Sequence, residues 1–195
     1  CKLELVNLFQ KEQFDEAYAA INPTHSVPTL VHGRYTLYES AAIVRYLSLS
    51  KDKRVLGYPT DHKQKALVNQ HISWSHNHIK ESINLYLNEK LWKPLKSLKK
   101  DSEAEEKALA NLKDNINILE KTLNGRTSLV GDSLTLCDIV IAEELINLEL
   151  VDFDFDEYVN IQQWLFFIKQ NLSCWEKVHQ FFNQVYLPTI QSALK

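Results

Sequence analysis

Polar and apolar positions divide the chain near residue 50. Upstream, short strand-like runs alternate with helical ones. Leu3 to Leu8 is expected as a strand, Gln13 to Ala20 as a helix, Thr29 to Val31 and Tyr35 to Tyr38 as a hairpin around His32-Gly33-Arg34, and Ser40 to Ser48 as a helix. Leu49 to Thr60, with Gly57 and Pro59, is expected as linker. Downstream no run is a convincing strand, and apolar residues recur at three-to-four spacing almost to the end. The expected helices are Asp61 to about Trp92, stopped by Pro94, then Ser102 to Leu123, closed by Gly125, Leu136 to Leu148, Tyr158 to Gln170 and Cys174 to Val185. The predicted architecture is an α/β domain over 1–50, a linker over 51–60 and an all-α bundle over 61–195.

Within the first domain, Val27-Pro28 follows an Asn-Pro turn and leads directly into a strand, where a missing N–H does little harm. A cis bond is expected there, turning the Val27 amide out of the ladder toward a groove where an extended peptide can pair as an added strand. Glu39-Ser40 opens the helical run after the hairpin. Its free N–H groups, the Ser40 hydroxyl and the positive end of the helix dipole form a carboxylate pocket. A carboxylate pocket beside a peptide-pairing edge suits glutathione, whose γ-glutamyl end carries a free carboxylate.

Composition changes this picture mainly by exclusion. The 195 residues are 45% apolar, enough for a core in one large or two small domains. A net charge of −3 with Lys and Glu interspersed leaves no basic face for nucleic acid. No apolar run approaches a membrane span, so no membrane partner is expected. Cys1, Cys137 and Cys174 are widely separated with no C-x-x-C, which fits a reduced, cytoplasmic protein. His71, His76 and His78 offer no i,i+4 ligand pair, so no metal site is expected. Thr135 and Asp138 form a T-x-x-D capping box with Leu134 and Ile139 as its staple, and Ser173 to Glu176 repeats the spacing. Both are expected to serve folding.

The pattern N-P-x-x-x-V-P-x-L from Asn22, followed by L-x-E-S-x-A-I-x-x-Y-L from Leu37, resembles the glutathione site of the cytosolic glutathione transferases. Tyr58-Pro59 leading into W-S-H-N-H-I-K from Trp74, and Ser133 to Asp138, are similar to the helical domain of the theta-like class. The likeness runs from about Leu3 to about Leu187. It implies a thioredoxin-like domain followed by a helical bundle, glutathione as co-substrate, and conjugation of its thiolate to small, mostly apolar electrophiles by a homodimer. The alternatives are a non-catalytic module of this fold used in protein assembly, or a glutathione-dependent dehalogenase or reductase.

By the same resemblance, Gln13, Ser26, Val27, Pro28, Glu39 and Ser40 are the glutathione-binding positions. Gln13 stands at a His position, and Ser26 at one usually Lys or Gln that holds the glycyl carboxylate. Both substitutions reduce charge assistance for an anion. Trp74, Asn77 and Lys80 align with acceptor-site or cross-subunit residues, expected on one helix face. There Asn77 replaces an acid, and Lys80 replaces an Arg. The family's catalytic Ser, Tyr or Cys follows a first strand, whereas Cys1 to Leu8 looks like the second. No catalytic residue is therefore assigned. About 25 residues of the pattern are expected upstream, with the sequence read as a fragment or a processed or degenerate product, inactive and poorly stable alone.

Overall fold

The computed structural model describes residues 2–8, 10–49 and 57–193. The chain divides into two compact units, residues 1–58 and 59–195. Cys1 and the linker expectation over 50–56 lie outside the described residues.

In the first unit, β1 (Thr29–His32) pairs antiparallel with β2 (Tyr35–Tyr38), with Thr29 opposite Tyr38 and His32 opposite Tyr35. The connecting Gly33-Arg34 places Gly33 at φ 62°, the left-handed region that a tight hairpin demands of its first residue. Nothing lies within 4 Å of where its Cβ would be, so backbone conformation and not crowding selects glycine. Helix α2 (Ser40–Ser48) follows and buries Ile43. Tyr46 of α2 bonds His32 Nδ1 at 2.7 Å through its hydroxyl and lies 5.3 Å from the Tyr35 ring, fastening helix to hairpin.

Two expectations fail here. Leu3 to Leu8 is not a strand, because a strand exists only by pairing, and the two-stranded β1–β2 sheet does not include it. Leu3 and Leu5 are left 93% and 91% exposed. The helix expected over Gln13 to Ala20 is instead a 3₁₀ turn, Glu12–Phe14, and a single α turn, α1 (Glu16–Ala19). Asp15 separates them in an extended conformation, φ −63° and ψ 144°.

In the second unit, the long helix runs from His62 to Leu95, one residue beyond the expected stop at Pro94. It comprises α3 (His62–Trp74), a π stretch Ser75–Ile79, α4 (Lys80–Leu87), a second π stretch Asn88–Trp92 and α5 (Lys93–Leu95). The second π stretch ends just before Pro94, where a proline in regular α geometry would clash with the carbonyl four residues back. Asp61 caps the start, accepting from the N–H groups of Lys63 at 3.1 Å and Gln64 at 2.9 Å.

Asp101 caps α6 (Ser102–Thr122) in the same way. Helices α7 (Leu136–Ile146) and α8 (Val159–Asn171) follow. Then come α9 (Trp175–Phe181), a π stretch Phe182–Tyr186 and α10 (Leu187–Ala193), so the last helix continues past the expected Val185. The second capping box does not form: the N-cap of α9 is Cys174, with no side-chain capping bond. The N–H groups that open α8 are answered from α6, where Glu120 accepts from Asn160 and Ile161 at 2.9 Å each. Ile72, Ile79, Leu112, Ile116, Ile141 and Trp164 lie almost wholly out of water in the core between these helices. Contiguous apolar burial on this scale is what stabilises a helical bundle.

Candidate functional site

The Val27-Pro28 bond is cis, as the sequence led us to expect. Val27 is exposed and stands two residues before the first ladder pair, at Thr29. None of its backbone groups bonds the described residues, so both remain open to a ligand.

The loop that presents it is held by one buried side chain. Asn22 Nδ2 donates to the Ser26 carbonyl at 2.8 Å and to Thr29 Oγ1 at 2.9 Å, while Asn22 Oδ1 accepts from Thr24 N at 2.9 Å and Thr24 Oγ1 at 2.7 Å. The Tyr18 hydroxyl donates to the same Ser26 carbonyl at 2.6 Å. In the sequence Asn22 is visible as half of a turn dipeptide and as the start of the N-P-x-x-x-V-P-x-L pattern, not as the side chain that organises the loop. The signal that could have found it is the polar run of Thr24, Ser26 and Thr29 around it, too many short hydroxyls for a plain turn.

Proton accounting limits Ser26. Thr24 spends its single hydroxyl proton on Asn22 Oδ1, so the 2.7 Å contact between Thr24 Oγ1 and Ser26 Oγ must take its proton from Ser26. In this geometry the Ser26 hydroxyl has no donor left for an anion. Gln13 is half-buried, and its Oε1 is buried without a hydrogen-bond partner among the described residues. Its backbone carbonyl meets His25 Nδ1 at 2.9 Å.

At the other side of the hairpin, Glu39 is the N-cap of α2 and Ser40 its first residue. Glu39 holds φ 70° and ψ 109°, a conformation that costs a non-glycine residue roughly 1–3 kcal/mol. Neither the Glu39 carboxylate nor the Ser40 hydroxyl bonds a described protein group, although α2 begins with its orphan donors beside them. The strained residue and the unspent donors thus lie side by side at the start of α2.

In the second unit, the three aligned helix residues part company. Trp74 stacks on His78 with ring centroids 6.2 Å apart, Lys80 Nζ pairs with Glu144 at 3.2 Å, and Asn77 is exposed. The expectation that they share one face assumed an unbroken α helix. The π stretch Ser75–Ile79 lies between Trp74 and Lys80 and changes the angular step per residue. It also buries Ser75, whose hydroxyl has no partner among the described residues.

The capping box at α7 serves structure. Asp138 is fully buried and accepts from Leu129 N at 2.8 Å, Thr135 N at 2.8 Å, Thr135 Oγ1 at 2.8 Å and Trp164 Nε1 at 2.9 Å. Burial, with the neighbouring Asp138 charge, pushes the Cys137 thiol up to about 12, which removes it as a nucleophile. Among the described residues, no group of three or more His, Cys, Asp or Glu is placed to hold a metal ion. No described helix is long and apolar enough to cross a membrane.

Residues 2–49 match the family described as glutathione S-transferase, N-terminal domain, and residues 67–167 match glutathione S-transferase, C-terminal domain. The chain belongs to the glutathione S-transferase family. Glutathione S-transferase D6 of Drosophila melanogaster is 31% identical over 159 residues, covering 82% of this chain and 71% of that protein. Among solved structures, a human theta-class glutathione transferase in complex with the glutathione conjugate of 1-menaphthyl sulfate is 25% identical with a TM-score of 0.81, covering 97% of this chain and 76% of that one. Human glutathione transferase theta-2, in complex with glutathione and an unknown ligand, matches at 24% identity with a TM-score of 0.86, covering 96% and 78%, and supports the fold alone.

Proposed function

We propose that this chain serves conjugation of glutathione to small electrophiles, binding glutathione along Val27-Pro28 and the start of α2. The observation that carries the reading is the pair of unspent groups on either side of the hairpin. At one, the free Val27 amide and carbonyl pair with the tripeptide backbone as an added strand. At the other, the Ser40 hydroxyl and the first N–H groups of α2 take the γ-glutamyl carboxylate, and Glu39 takes the ammonium beside it. Gln13 and Ser26 complete the proposed binding positions. Ser26 contributes only by releasing Thr24, so it adds little to affinity.

The chemistry is thiolate attack: the glutathione sulfur bonds the electrophilic carbon, the leaving group departs with its electron pair, and the thiol proton passes to solvent. A thiol near pKa 8.5 is mostly protonated at neutral pH, so its activation is the step a transferase must supply. We assign that role to none of the residues described. In the second unit, Trp74 and Asn77 are the proposed acceptor-site or cross-subunit residues. Lys80, its charge already answered by Glu144, acts there by shape and packing.

A theta-like member working as a cytoplasmic homodimer is the finer form of the proposal. It is supported by the 25% identical human theta-class structure and by helical-domain motifs of that type. Ser40→Ala is expected to weaken glutathione binding by about 1 to 2 kcal/mol through loss of a charge-assisted hydrogen bond. Titration calorimetry on the wild-type and variant chains checks this. Unchanged affinity would overturn the assignment.

A further inference from the structure

The helical unit contains a cavity of about 540 Å³ between the end of α7, the segment after it and α8, and none of its lining residues is among those assigned to glutathione. That is ordinary size for a site that takes a small organic molecule. Its apolar side combines Leu145 and Ile146, both nearly out of water, with Phe153, Phe155 and Phe166. Phe166 is 65% exposed and presents its ring at the cavity.

The wall is built before any ligand arrives. Asp152 turns the chain in the left-handed region at φ 50°, and the Phe153 N–H closes onto the Leu148 carbonyl at 3.2 Å. Phe153 and Phe155 meet edge to face with centroids 5.0 Å apart, and both rings contact the buried Tyr158. Gln162 Nε2 pins the Phe155 carbonyl at 2.7 Å, and Gln191 Nε2 holds Asp152 Oδ1 at 2.9 Å. Such a wall requires little ordering on binding.

The charge on this cavity is predominantly negative. Glu149, Asp154 and Asp156 line it against a single ammonium, that of Lys169. Lys169 is also drawn elsewhere, 5.9 Å over the Trp175 ring. The side chains of Glu149 and Asp156 make no hydrogen bond or ion pair among the described residues, and Glu149 is partly withdrawn from water. An excess of carboxylates, two of them without an ion-pair partner among the described residues, beside aromatic rings favours a cation that also carries apolar surface.

We propose that this cavity is a second binding site, for a hydrophobic organic cation of one or two rings such as a protonated arylalkylamine. The rings of Phe153, Phe155 and Phe166 take its apolar body, and the three carboxylates take its ammonium. Anionic compounds of the same shape are rejected by the same charges.

The probes are 2-(1-naphthyl)ethylammonium and 3-(1-naphthyl)propionate, titrated calorimetrically into the full chain at neutral pH, low salt and saturating glutathione. The ammonium is expected to bind at least tenfold more tightly than the carboxylate. Combined Glu149→Gln, Asp154→Asn and Asp156→Asn should erase that preference, and Lys169→Glu should strengthen ammonium binding, a gain that misfolding cannot produce. Equal or reversed preference in the wild-type chain, no gain with Lys169→Glu, or displacement of the ammonium by glutathione overturns the proposal.

Discussion

Asn22 in the first unit and Asp138 in the second do the same job by different means. Each is a fully buried polar side chain that gathers the donors and acceptors of a loop and fixes the element after it. Asp138 does so as an acceptor, amid the apolar core of a helical bundle. Asn22 does so as a neutral amide serving both donors and acceptors, in a unit whose only buried apolar side chain among the described residues is Ile43. The difference shows what each unit depends on. The bundle rests on hydrophobic burial and uses Asp138 to fix one helix start. The loop before Val27-Pro28 rests on the polar network itself, with little apolar burial to back it up.

The largest expected effect follows from removing the acid. Asp138→Ala leaves the Leu129 and Thr135 N–H groups and the Trp164 indole without acceptors inside the core, at a cost of about 3 to 5 kcal/mol in unfolding free energy. Chemical denaturation followed by tryptophan fluorescence measures it. Alkylation of Cys137, inert in the intact chain, should appear alongside. A loss below about 1 kcal/mol would dissolve the contrast between the two residues.

Asn22→Ala should cost about 1 to 3 kcal/mol locally. Because the loop has little else holding it, the loss is expected in glutathione affinity and in faster amide exchange at Thr24 and its neighbours more than in the melting of the helical unit. Melting of the whole chain with glutathione affinity intact would mean that the loop is not sustained by its polar network.

The smallest effect sharpens the bundle's side of the comparison. Burial holds the His71 imidazole below its ordinary value of 6.5, with Arg126 lowering it further and the Asp138 charge opposing both. The folded chain therefore resists a proton that the unfolded chain accepts, so stability should fall as pH drops below about 6.5 toward the folded-state value. His71→Gln should flatten that part of the curve of thermal midpoint against pH. An unchanged slope would show that His71 does not contribute to it.

How much of this was legible beforehand depended on the range of the forces involved. The hairpin, its Gly33 turn and the bounds of α2 follow from local rules and appear where the pattern put them. So do the cis Val27-Pro28 bond and the Thr135–Asp138 box. Leu3 to Leu8 carries strand-forming residues, but propensity without a pairing partner forms no ladder. Asn22 looked like turn punctuation because burial of an amide depends on partners that composition does not rank. The cavity beside Phe166 could not be read at all, since its acids and rings come from separate helices and a loop that only the fold brings together.

The π stretches at Ser75–Ile79 and Asn88–Trp92 have a bearing on how this chain can change in length. A π turn is an α turn that has absorbed one additional residue. Deleting a residue from either stretch returns it to α geometry and leaves both flanks in phase. The same deletion elsewhere in the helix would rotate everything beyond it by about 100° and pull Ile83 or Leu91 out of the core. The long helix thus has two places where loss of a single residue is absorbed silently, and shorter relatives should lack a residue there before they lack one elsewhere along it.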